Sequence, residues 1–379
     1  MSRWSPSHRR LVATYTIVHG LAEFLTALTL FSSLTSWVSA AWLILIYNVL
    51  AFGCPSLIAT GAVRTRLGQV SEGWYGLVGT VLMAGGLIAA GTGWACVLLL
   101  GVGSAGLHIA AGTATLKVPA RGTAVGVFES SGAVGLALGT VLGTGTWHGA
   151  AATPWVWAGA AISLLGGLAV WRWGTDRAIP GLSASVAPSE TKGTVLFVST
   201  RSRVETNRTV PFVSPSAIVV TAVTVLGLAS VARGIMAFAA PQPWKQGPWL
   251  VMAAAVAVAL GRAVGGIAAD RWGYVGPAVI GFAGAGILLA AWPAWAGAGI
   301  AGMCLLAVPM APVILALVDA LGRPSLAFGL AQLFQVPAAL LTGLVLPPWA
   351  VAVTLIACAG LVLLLRRRVP ATSPAGSVE

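Results

Sequence analysis

The chain has 379 residues, of which 58% are apolar and only 8% charged, and its mean hydropathy is +0.91. Soluble domains carry about 25% charged residues, so this composition excludes a soluble enzyme or binding module and predicts a polytopic membrane protein. The formal net charge of +12 is not evidence for a nucleic-acid partner, because its placement follows membrane topology.

In chain order the sequence divides into twelve apolar segments, at 11–32, 38–62, 73–92, 93–115, 122–145, 151–171, 214–240, 247–268, 275–294, 296–318, 325–346 and 348–365. Each is close to the ~20 residues that cross a bilayer as a helix. The expected fold class is therefore an all-α membrane protein of twelve transmembrane helices. The interval 172–213 separates six segments from six and holds Pro180, Pro188 and most of the mid-chain charge. The expected organisation is an N-terminal six-helix bundle (1–171), a cytoplasmic linker (172–213), a C-terminal six-helix bundle (214–368) and a disordered cytoplasmic tail (369–379). Within the linker, Thr194–Ser199 is apolar but too short to cross. Basic Met1–Arg10 leads into a run of span length, so no cleaved signal peptide is expected.

Lys and Arg placement sets the orientation. With the N-terminus inside, eighteen of these residues, among them Arg9, Arg10, Lys117, Arg121, Arg172, Arg271 and Arg323, fall on inner loops and tails, against Lys245 alone outside. Both termini are then cytoplasmic, in the cell inner membrane. Trp155, Trp171, Trp173, Trp249 and Trp349 lie at segment ends, where interfacial belts place indoles. Cys54, Cys96, Cys304 and Cys358 all lie inside apolar runs and are expected to be free thiols, with no disulfide or metal framework.

Two buried-charge segments stand out. Gly101–Gly143 comprises two apolar runs joined by the basic turn Lys117–Arg121, and each run carries one ionisable residue. At about 1.5 Å per residue, His108 lies ~13 Å from Lys117 and Glu129 ~12 Å from Arg121, near the middle of a ~30 Å hydrocarbon core. A charge there costs roughly 2.5–3.5 kcal/mol on insertion scales and calls for a partner or a water-filled path. His108 and Glu129 are expected at one depth, either as a coupled titrating pair or as a polar interhelical clamp. In the first segment His19 and Glu23 are four apart and share a helix face. They read as a proton-carrying pair, or as a local hydrogen-bonded pair that orients the helix.

In the second half, Arg233 falls inside a span. Since Arg keeps its proton it needs a carboxylate or an anionic substrate; Arg233 is expected to face the cavity and either pair with Glu23 or Glu129 or bind an acidic substrate group, the alternative being extension of its stem to the outer headgroups. Arg262, eight residues before Asp270, is assigned to an inner latch. Gln332 and Gln335 are expected as uncharged substrate contacts, and Glu72 caps the start of the third span. No catalytic constellation, metal-ligating set or phosphate-binding Gly-Lys-Ser/Thr loop is present in the sequence, so neither an enzyme nor an ATP-driven pump is expected.

An internal repeat relates the halves. Arg121…Gly126-Val-Phe-Glu129 matches Arg323…Gly329-Leu-Ala-Gln332, and Gly61-Ala-Val-Arg-Thr65-Arg66-Leu-Gly68 matches Gly266-Ile-Ala-Ala-Asp270-Arg271-Trp-Gly273. Corresponding segments of this kind point to a transporter with its site between the halves at mid-depth.

These repeats resemble the major facilitator superfamily over essentially the whole chain. The resemblance implies two pseudo-symmetric six-helix bundles, a monomer, and a latch formed by Gly266, Asp270, Arg271 and Gly273 that holds the outward-facing state. In the first-half copy Thr65 replaces the family's Asp. Gly126, Gly135, Gly139 and Gly143 resemble the antiporter glycine motif, with Thr140 in place of its Pro. Gly101-Val-Gly-Ser-Ala-Gly-Leu-His108, Val127-Phe-Glu129 and the pair His19 and Glu23 are similar to stretches of the fosmidomycin-resistance type of drug efflux protein. That likeness implies export driven by the proton gradient, with no cofactor. The expected function is proton antiport of a small amphipathic or acidic organic compound or drug by alternating access. Proton-coupled uptake of a metabolite, and a non-transporting assembly or sensor role, are the alternatives.

Overall fold

In the computed structural model the described residues are 4–34, 40–64, 71–145, 153–174, 215–234, 236, 247–291, 295–336 and 347–366. Most of the expected linker, the C-terminal tail, Thr65, Arg66, Lys245 and Thr194–Ser199 lie outside them. The described residues form helices α1 (Pro6–Thr29), α2 (Ala40–Asn48), α3 (Cys54–Arg64), α4 (Glu72–Ile88), α5 (Trp94–Thr115), α6 (Arg121–Gly145) and α7 (Thr153–Gly174). They continue with α8 (Pro215–Gly234), α9 (Pro248–Trp272), α10 (Val275–Ala291), α11 (Ala296–Ala307), α12 (Met310–Leu321), α13 (Pro324–Leu333) and α14 (Pro348–Arg366). Among the described residues, seven helical stretches are long and apolar enough to cross a membrane, and Leu45–Gly61, Val275–Ala291 and Trp349–Leu364 are shorter apolar ones.

The helices follow the twelve apolar segments, with three informative departures. Helix α1 begins at Pro6, earlier than hydropathy alone suggests, because Ser5 caps it: Ser5 Oγ accepts from the His8 amide at 3.3 Å and Pro6 occupies the first turn. The second segment is two helices, α2 and α3, joined by a π-helical turn at Val49–Gly53. Pro55 lacks an amide hydrogen and its ring crowds the carbonyl four residues back, in that turn. The tenth segment breaks between α11 and α12 at a turn over Val308 and Pro309, where the Val308 amide donates to the Leu305 carbonyl at 3.2 Å.

Outward-facing indoles and aliphatic side chains mark the lipid surface. Trp155 and Trp157 are exposed at one end of α7, Trp171 and Trp173 at the other, the disposition of interfacial belts. Inside, α1 packs on α6, α4 on α5 and α7, and α10 on α11 and α14. Small residues permit this closeness: a Cβ on Gly135 would sit 2.1 Å from the Gly20 carbonyl oxygen. Helices α1–α7 meet α8–α14 chiefly along α6 with α9 and α13 with α3. Cys54, Cys96, Cys304 and Cys358 are free thiols.

Candidate functional site

The first contact between halves is at the ends of α6 and α9. Asp270 accepts hydrogen bonds from the Gly122 amide (3.0 Å), the Thr123 amide (2.6 Å) and Thr123 Oγ1 (2.7 Å). A carboxylate of one half thus caps the N-terminus of a helix in the other, where orphan amides and the helix dipole favour negative charge. A Cβ on Gly266 would lie 2.1 Å from the Gly122 carbonyl oxygen, so only glycine allows the two backbones to touch. Gly273 closes α9 at a φ of +77° that favours glycine, its amide donating to the Ala269 carbonyl at 3.0 Å. Arg271 is exposed. Beside this contact Arg121 pairs with Asp319 and donates to the Tyr274 hydroxyl at 3.2 Å, while Tyr274 donates to Asp319. Burial and the Asp319 carboxylate push the Tyr274 hydroxyl up to about 12, so it stays a donor at any physiological pH.

One helical turn deeper, Gly126 lies against the Arg262 carbonyl, and Ser130 Oγ donates to the Ala259 carbonyl at 2.6 Å. Arg262, expected with the latch, turns away from Asp270. Its Nη1 lies 3.2 Å from Glu129 Oε2 and donates to the Glu129 main-chain carbonyl at 2.5 Å. Glu129 also accepts from Gln332 Nε2 at 2.9 Å, and Gln335 Nε2 donates to Gln332 Oε1 at 2.5 Å. Arg233 Nη2 donates to Gln335 Oε1. Arg233 therefore reaches Glu129 through two glutamines; of its two expected roles, the pairing with Glu23 or Glu129 is not made as a direct ion pair among the described residues. The relay joins α8 and α13 to α6. Glu129 and Gln332, each three residues after a repeat glycine, meet directly. Gly329 packs on Pro55 and Ser56 of α3 as Gly126 packs on α9, so the repeat places both glycines where the halves touch.

A second cluster lies within the first half. His108, expected to couple with Glu129, faces Glu23 and His19 instead. Its Nε2 is 3.1 Å from His19 Nε2 and 3.7 Å from Glu23 Oε1. Tyr47 donates to both Glu23 oxygens at 3.1 and 3.3 Å and lies 3.0 Å from Ser104 Oγ, which is 3.3 Å from Glu23 Oε1. The His108 Nδ1 is 2.8 Å from the Ser104 carbonyl, and the His19 Nδ1 is 3.0 Å from the Phe128 carbonyl. His19, Glu23 and His108 are 2%, 3% and 3% exposed, which rules out a solvated surface role. Phe128 stacks on the His19 ring with centroids 4.3 Å apart. Because Phe128 directly precedes Glu129, the two clusters share one turn of α6.

Tyr47 and Ser104 escaped the sequence reading. Ser104 had a signal, sitting one turn before His108 at the spacing that places side chains together. Tyr47 had only its hydroxyl inside an apolar run. Glu72 lies in the first turn of α4 behind Ser71 and pairs with Lys117, which ties α4 to the end of α5.

No protein-family model matches this chain, and no curated protein matches it. Solved structures do. A double-tryptophan variant of XylE aligns with a TM-score of 0.64 at 15% identity, over 98% of this chain and 98% of that one. FucP in the outward conformation, described as a major facilitator superfamily transporter, aligns with a TM-score of 0.61 at 13% identity, over 96% and 100%. The human organic anion transporter MFSD10 aligns with a TM-score of 0.58 at 17% identity, over 95% and 99%. Likeness over whole chains at such low identity is a statement about architecture. The chain is a multi-pass membrane protein with the major facilitator fold.

Proposed function

We propose that this protein is a secondary transporter of the cell inner membrane, with cytoplasmic termini, that exports a small amphipathic or acidic organic compound in exchange for protons. It works as a monomer with the proton gradient as its energy source and no cofactor. The observation that carries this reading is the buried relay Arg233–Gln335–Gln332–Glu129–Arg262, which spans both halves and contains one protonatable group between two fixed cations. A carboxylate at mid-depth has a high cost unless it is paired. Proton arrival at Glu129 removes its charge, loosens Arg262 and with it the contact of α6 on α9. Arg233, the cation bonded only to a neutral amide among the contacts described, is the group that suits an anionic substrate. Glu23, His19 and His108 supply a second proton-holding cluster one turn away. The contacts between halves run from the latch to this depth, which favours a state closed at the cytoplasmic end, with Gly266, Asp270 and Gly273 as its latch.

A second reading has a specific observation behind it. Another structure of FucP, described as the E. coli fucose:proton symporter, aligns with a TM-score of 0.54 at 13% identity, over 96% of this chain and 100% of that one. Uptake by symport uses the same proton-sensitive pairing in the opposite direction.

The test is dye-reported proton flux in inverted vesicles, challenged with a panel of amphipathic acids and toxic small molecules, for wild type beside Glu129→Gln and Glu23→Gln. Export predicts proton release triggered by one compound class and abolished in Glu129→Gln. Flux of opposite sign supports uptake, and compound-triggered flux retained in both variants contradicts proton coupling at these residues.

A further inference from the structure

The two imidazoles of the first-half cluster are held in an unusual relation. A backbone carbonyl only accepts, so the His108 Nδ1, 2.8 Å from the Ser104 carbonyl, carries hydrogen, and so does the His19 Nδ1, 3.0 Å from the Phe128 carbonyl. In the neutral rings both Nε2 atoms are then lone-pair acceptors, and they face each other at 3.1 Å. Two lone pairs at that distance repel unless a cation lies between them. The separation is close to the ~3.3 Å between two nitrogens on one tetrahedral ion with 2.0–2.1 Å bonds. A metal-bound histidine commonly donates its other ring N–H to a carbonyl or carboxylate, which fixes its tautomer. Both histidines have that arrangement.

A third donor is in place. Glu23 Oε1 lies 3.7 Å from His108 Nε2, and the ligand atoms of His19, Glu23 and His108 all fall within 4.8 Å of one another. Tyr47 donates to both Glu23 oxygens and so orients the carboxylate as a further outer partner. Two neutral imidazoles and one carboxylate suit a divalent ion of the borderline class, Zn2+, Co2+ or Ni2+, better than Mg2+ or Ca2+, which take oxygen ligands. The three residues come from α1 and α5, far apart in the chain, so their spacing carries no metal-ligand pattern.

We propose that His19, His108 and Glu23 form a binding site for one divalent transition-metal ion, with Tyr47 and Ser104 as its supporting shell. A bound ion occupies the position that a proton shared between the imidazoles would take, so metal and proton compete for this cluster. The proposal rests on ligand geometry alone and is independent of transport direction and of the relay at Glu129.

The test uses full-length, tag-free protein in detergent, stripped with a chelator and titrated with Co2+. Wild type is expected to show the visible ligand-field absorption of four-coordinate Co2+, saturating at one equivalent and displaced by Zn2+. The band is expected to vanish in His19→Asn and in His108→Asn, and to persist in His8→Asn, which controls for the histidine at the start of α1. Tyr47→Phe, which keeps every ligand, is expected to weaken Co2+ by roughly 10- to 100-fold, the usual effect of losing an outer-shell partner. Each variant is checked for monodisperse elution, and Tyr47→Phe decides the matter if a histidine variant fails to fold. Absence of the band in wild type, or its persistence without either histidine, overturns the proposal. Vesicle proton flux remains a separate readout, so a metal-free proton transporter fails here while passing there.

Discussion

Arg262 of α9 holds Glu129 of α6 twice, through a 3.2 Å ion pair to Oε2 and a 2.5 Å hydrogen bond to the main-chain carbonyl. Their side chains are 11% and 9% exposed, so neither charge has water to fall back on. The pair is an ionic fastening between α6 of one half and α9 of the other.

Removing one partner leaves the other charge buried and unpaired, which costs about 3–5 kcal/mol. Glu129→Gln and Arg262→Gln are each expected to destabilise the protein strongly. The double variant is expected to be less destabilised than the sum of the two, with a coupling energy of about 0.5–3 kcal/mol. Reversible unfolding in mixed micelles measures all four corners of the cycle. Additivity contradicts the pairing.

Asp270 acts on the other half's helix end. Asp270→Ala removes the acceptor for two amides and a hydroxyl, and loss of a helix cap typically costs about 0.5–2 kcal/mol. That cost falls only on the state in which the halves touch. The expected result is faster thiol labelling of single cysteines placed near the α6–α9 contact, with little change in overall unfolding.

Two tightly packed glycines separate two effects. Gly266→Ala forces a Cβ to within 2.1 Å of the Gly122 carbonyl and is expected to favour the state in which α6 and α9 part. Gly135→Ala drives a Cβ equally close to the Gly20 carbonyl, inside the first half. It is expected to lower folding yield without a conformational bias. Size-exclusion yield together with thiol accessibility discriminates the two.

Arg233 is bonded to Gln335, a neutral partner. If it receives an acidic substrate group, Arg233→Gln raises the apparent KM for that substrate by roughly tenfold or more, since hydrogen bonds to charged groups contribute about 1.5–3 kcal/mol. Uncharged analogues are expected to be unaffected. Concentration series of an acid and its amide in the flux assay compare them.

Much of this was legible from the chain. Hydropathy alone marked the twelve segments, because a membrane span needs a long uninterrupted apolar run. The Gly126/Gly329 repeat points to a site between the halves; that both glycines lie at the contact itself comes from the structure, where close backbone approach admits only small residues. The pairing of the charges was not legible. Depth along a helix follows from residue counting, but the direction a side chain faces does not, and so His108 was matched with Glu129 rather than with Glu23 and His19. Arg262 was read with Asp270 because the two are eight residues apart on one helix, while the stronger demand is for a carboxylate at its own depth, on α6. The breaks at Pro55 and Pro309 were visible as residues, yet hydropathy averages across them.

We propose that the charge on Glu129 holds the two halves together where α6 meets α9. Spin labels on Pro119→Cys and Arg323→Cys, with Cys54, Cys96, Cys304 and Cys358 replaced by Ala, report the distance between the two halves there by double electron–electron resonance. Wild type at neutral pH is expected to give a short, narrow distribution, and Glu129→Gln at the same pH a distinct longer population, mimicking the protonated carboxyl. An unchanged distribution in Glu129→Gln would show that the Glu129 charge does not hold the halves together.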